Sequence, residues 1–195
     1  MKWFGKKNGN AGDPDPGAQQ QASEFLDRDY PRSSFADGDQ IIVNAGQVLE
    51  NIAMTMERID VDIDTPVSIE DMASTDELMV LVGTLHLGPV LAVHVVNTAM
   101  KIMSARYPAE LVRRPLTPEY DLRKLLGQLT ISDQEHQIAK KIFNQRTISI
   151  ADLTEDDIAA DLEPLGPAEQ MTVFVALFYM YGTKVGAIKH RMGAV

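Results

Sequence analysis

From Asp39 onward, apolar residues recur at helical spacing. Ile41, Ile42, Ala45, Val48, Leu49, Ile52, Met56 and Ile59 fall mostly three and four apart, so they share one stripe of a helix. Asp37 or Asp39 is the candidate N-cap, because a carboxylate there accepts an orphan backbone N–H. Near Ile59 the period changes to two. Ile59-Asp60-Val61-Asp62-Ile63-Asp64 alternates strictly, and Thr65-Pro66 ends it; Ser68-Ile69-Glu70-Asp71 then has the form of a capping box opening the next helix.

Between Glu77 and Lys101 the chain runs 23 residues without a charge, and 15 of them are apolar. A membrane span needs about 20 predominantly apolar residues. Here His86, His94 and Asn97 weaken insertion, and Gly88-Pro89 interrupts the segment near its middle. The pattern predicts two core helices, Thr75 to Leu87 and Pro89 to Tyr107, with Pro89 at the first helical position, where its missing N–H costs nothing. Insertion of residues 78–100 into a bilayer is the competing expectation, favoured only by acidic residues before the segment and basic ones after it.

Further on, Thr117-Pro118-Glu119 announces a helix carrying Leu122, Leu125, Leu126 and Leu129. Ser132-Asp133-Gln134-Glu135 is a second capping box, opening a helix through Ile138, Ile142 and Phe143. Thr154-Glu155-Asp156-Asp157 caps a shorter one through Leu162. Gly166-Pro167 starts the most apolar helix, nearly unbroken from Met171 to Tyr181. Only Gln170 to Thr183 is uncharged there, too short for a span, so a central core helix packed against the 75–107 pair is expected. Lys184, Lys189, His190 and Arg191 read as basic residues decorating its C-terminal turns. The fold class is therefore all-α: one bundle-like domain over 40–195 with about six or seven helices.

Residues 1–39 read as a flexible tail. Asn8 to Gln21 has no branched aliphatic residue, so it cannot bury enough apolar surface to offset its chain entropy. Its tip differs: Trp3 and Phe4 stand among lysines, and with Lys6 and Lys7 they form a candidate contact for a partner groove or an anionic lipid surface. The basic opening lacks the apolar core of a signal peptide, and Lys2 stands where myristoylation needs glycine.

Charge and composition narrow the chemistry. A net charge of −10 argues against nucleic-acid binding, since phosphates must be met by cations. Any groove-reading helix near Thr154 would present Glu155, Asp156, Asp157 and Asp161 to phosphates. The absence of cysteine removes thiolate nucleophiles, disulfides and cysteine-based zinc sites, and a reducing cytoplasm is the expected compartment. Asp60, Asp62, Asp64, Ser68 and Asp71 match five positions of a calcium loop, but Thr65 stands where that loop requires glycine, so a solvated acidic edge is the reading adopted. His86 and His94 straddle the Gly88-Pro89 break without acidic neighbours at helical spacing, so no metal is expected. Arg113-Arg114 and Arg123-Lys124 read as a solvated face or a patch for phosphate or an acidic partner.

No glycine-rich phosphate loop or nucleophile elbow occurs, and neither catalytic residues nor a cofactor is expected. What remains is surplus apolar helix surface and ten methionines, adaptable side chains common where several partners bind. The expectation is a non-enzymatic adaptor, chaperone-like or assembly factor that binds proteins or itself, with Phe174, Phe178 and Tyr181 as the candidate interface. The alternatives are a membrane-associated morphogenesis or trafficking factor using the Trp3-Phe4 tip, and an enzyme whose site leaves no mark in the sequence.

Overall fold

The apolar stripe that begins after Asp39 becomes α1, Asp39–Ile59. The structure is a computed structural model and describes residues 39–59, 80–81, 83–116 and 131–193. Ala45, Val48, Leu49, Ile52 and Ala53 of α1 are buried on the face that the spacing marks out. The alternating segment after Ile59, the acidic loop within it and the helix announced at Thr117 lie outside the described residues.

Residues 83–85 are helical, and the chain then tightens through turns in which His86, Leu87 and Gly88 N–H groups each bond three residues back. Gly88 takes φ 86°, a conformation open to glycine because it has no Cβ. Pro89 follows at the first position of α2, Pro89–Ser104. The 23-residue uncharged run is thus broken where Gly88-Pro89 predicts, and the second helix ends three residues earlier than Tyr107. A short helix, α3 (Ala109–Arg113), follows Pro108.

Side-chain caps set the next starts. At α4, Asp133–Thr147, the Glu135 N–H donates to Ser132 Oγ (3.2 Å) and the Ser132 N–H donates to the Glu135 carboxylate. At α5, Glu155–Leu162, Thr154 and Asp157 exchange the same pair of bonds. α6, Pro167–Gly193, opens with the Gly166 N–H donating to Glu169 Oε2 at 2.7 Å. Gln170 Nε2 donates to the carbonyls of Leu162 and Leu165, both at 3.0 Å, and so ties the α5–α6 corner.

The last helix is the centre of the molecule. Helices α1, α2 and α4 all pack on α6; α1 also packs on α2, and α5 covers α2 and α4. Every residue of α6 from Val173 through Ile188 is buried, because neighbours cover all sides of it. The described residues form one all-α domain with no strand. By length and composition α6 is apolar enough to cross a membrane, yet 89% of its most apolar window lies inside the fold.

Two glycines let α1 and α6 approach closely. A Cβ on Gly182 would stand 2.8 Å from Ile52 Cγ2, and one on Gly186 would stand 3.3 Å from the Ala53 carbonyl oxygen. At the rim of this contact Glu50 of α1 meets Lys189 of α6 (3.2 Å) and Arg106 beyond α2 (3.4 Å). Such partly solvated pairs contribute roughly 0–1 kcal/mol each, so the apolar seam and not the ion pairs carries the packing.

Candidate functional site

Three of the polar groups inside this apolar body occur where an element ends or crosses another: Tyr181, Arg146 and Lys184. Tyr181 of α6 is fully buried; its ring stacks on Phe143 of α4 at 5.4 Å, and its hydroxyl donates to Asn97 Oδ1 of α2 at 2.5 Å. Burial pushes the phenol well above its usual range, and the Arg146 charge opposes that shift only in part. This hydroxyl therefore stays protonated and acts as a donor.

Arg146 of α4 is 4% exposed. Its Nη1 donates to the Ala151 carbonyl at 2.6 Å and stands 3.6 Å from Asp152, whose other partner is Lys101 of α2 at 2.6 Å. The Lys101 bond and charge hold the Asp152 carboxyl below its ordinary value. Between these anchors Ile150 adopts φ 54°, uncommon for a β-branched residue, while the Ala151 N–H bonds back to the Gln145 carbonyl at 2.9 Å. The buried guanidinium thus holds a strained turn between α4 and α5 in place.

Lys184 is the third group, with no exposed surface at all. Its Nζ donates to the carbonyl of Arg114, the residue that ends α3. Burial pushes the ammonium down to about 8, and the charges of Arg191 and Arg114 add to the effect. An amine with that proton affinity suits Schiff-base chemistry. Here, however, it is sealed from solvent and bound to a backbone carbonyl, so it caps α3.

Placement of the sequence-predicted residues differs from expectation in several respects. Phe174, Phe178 and Tyr181, expected as an interface, are 0%, 2% and 0% exposed within the single chain. Phe174 and Phe178 lie 6.1 Å apart and Phe178 and Tyr179 5.8 Å apart as parts of the core, because neighbouring helices enclose α6. The expected surplus of apolar helix surface is inside as well: Met100, Met103 and Met180 are buried, and Ile102 and Met192 are the exposed large apolar residues among those described. Lys184 is an interior residue and not a decoration of the last turns. Arg113 and Arg114 are exposed. His86 is exposed and His94 half-buried on opposite sides of the Gly88 break, and among the described residues no group of three or more His, Asp or Glu side chains is placed to hold a metal. Trp3, Phe4, Lys6 and Lys7 lie outside the described residues.

Sequence reasoning missed Lys184 and Arg146. The signal for Lys184 was its register: it lies three residues after Tyr181 and four before Ile188, on a stripe that helical spacing turns inward. Arg146 carried the same mark, three residues after Phe143 and four after Ile142 on the apolar stripe of α4. No family model, curated protein or solved structure matches this chain.

Proposed function

We propose that the protein is a non-enzymatic adaptor, chaperone-like or assembly factor that works through protein–protein contacts. One observation carries this reading: four buried polar side chains bond to elements of the fold itself. Lys184 ends α3, Arg146 holds the turn after α4, Tyr181 joins α6 to α2, and Glu135 closes a capping box. A rigid helical body with a charged exterior is suited to presenting a surface. With a net charge of −10, the complementary partner is a protein with a basic face.

The test is recovery of partners on the tagged protein from its native host, with the mass measured by light scattering on the same preparation. A stoichiometric protein partner released as salt rises from 0.1 to 0.5 M would support the reading, because exposed charges are screened over that range. No partner, together with a strictly monomeric mass, would remove it. A membrane-surface role rests on the Trp3-Phe4 tip with Lys6 and Lys7; flotation of the full chain with anionic vesicles, beside a variant lacking residues 1–10, tests it directly.

A further inference from the structure

In a chain of net charge −10, Lys184, Arg191 and Arg114 gather at one end of the bundle. Lys184 and Arg191 lie two helical turns apart on α6 and so share a face. Arg114 arrives from α3, and its carbonyl receives the Lys184 ammonium. The charges of both guanidiniums bear on Lys184. Arg191 Nη1 is buried and has no hydrogen-bond partner. Among the described residues no carboxylate pairs with any of the three.

Capping α3 accounts for one N–H of Lys184 and for nothing on Arg191. An ammonium carries three donors and a guanidinium five, so one backbone carbonyl does not use up this donor set. Nor does proton loss neutralise the cluster: Lys184 can shed its charge, but arginine cannot. Like charges held together in a partly desolvated corner are repulsive unless an anion joins them. The guanidinium fork matches the oxygens of a phosphate or carboxylate group, and three cations favour the more highly charged of the two.

We propose that Arg191 and Arg114, backed by Lys184, form a binding site for an oxyanion of the phosphate class. Arg114 is exposed and Arg191 half-buried, so the ligand enters from the surface and Lys184 supplies charge from beneath.

The experiment compares thermal unfolding and calorimetric titration of the full chain in inorganic phosphate, acetate and chloride at equal ionic strength. With phosphate tenfold over its Kd, the midpoint should rise by about 3 °C relative to chloride. Arg191→Gln and Arg114→Gln, both at positions with solvent access, should each weaken phosphate binding by about tenfold. Lys184→Met should weaken it as well, and if that variant fails to fold the two arginine variants still decide the matter. Equal midpoints in phosphate and chloride would overturn the site. So would a phosphate response that survives in both arginine variants, or an acetate response as large as the phosphate one.

Discussion

At the scale of single residues, glycine and lysine make the sharpest predictions. Gly46 in α1 and Gly182 in α6 both sit inside helices, where alanine is favoured by roughly 1 kcal/mol. Their surroundings differ. A Cβ on Gly46 would meet Met103 Sδ at 3.7 Å and Cγ at 3.8 Å, both ordinary contacts, so Gly46→Ala should stabilise the protein by up to ~1 kcal/mol. Gly182→Ala would drive a Cβ against Ile52 at 2.8 Å and should destabilise by about 1–3 kcal/mol despite the better propensity. Urea titration of the two variants beside the parent should show midpoints moving in opposite directions. Lys184 adds a pH dependence. Its folded value of about 8 lies below the ordinary 10.5, so between those values the unfolded chain binds more protons. Stability from this group therefore rises as pH climbs from 8 toward 10.5, and the penalty is complete below 8. In phosphate-free buffer, parent minus Lys184→Met stability should increase between pH 7.5 and 9.5. A flat difference would mean that the ammonium is better solvated than its burial implies.

Among elements, helix starts were the most legible part of the sequence. Ser132, Thr154 and Gly166-Pro167 mark α4, α5 and α6 because capping chemistry is local and uses few residue types. The Gly88-Pro89 break was legible for the same reason. Ser132→Ala should cost about 1 kcal/mol, read as a lower unfolding midpoint, because it frees the Glu135 N–H and leaves the buried Glu135 with half of its box. What escaped was partnership across the fold. That Lys184 would find the Arg114 carbonyl, 70 positions away, depends on how α3 docks. No periodicity encodes that docking. The five-residue α3 also left no pattern, being shorter than two helical turns. The apolar surface of α6 was visible, but periodicity alone does not say whether a helix apolar all round faces a partner or its own bundle. Its neighbours within the chain settle it.

For the whole molecule, the enclosed α6 sets the order of stability. Amides of α6 between Val173 and Ile188 should exchange most slowly, close to the rate of global opening, while those of α3 exchange faster by orders of magnitude. Hydrogen exchange followed by mass spectrometry checks this, and early exchange in α6 would show that the bundle opens along its centre. The same arrangement bears on how the protein is made. Helices α1, α2 and α4 all emerge from the ribosome ahead of the helix that covers them. During synthesis their inward faces stand uncovered, at risk of sticking to other nascent chains, until α6 is free of the exit tunnel. A lesion that halts translation before Pro167 would thus yield three greasy helices with nothing to wrap, a product for the cell's proteases instead of a shortened working protein.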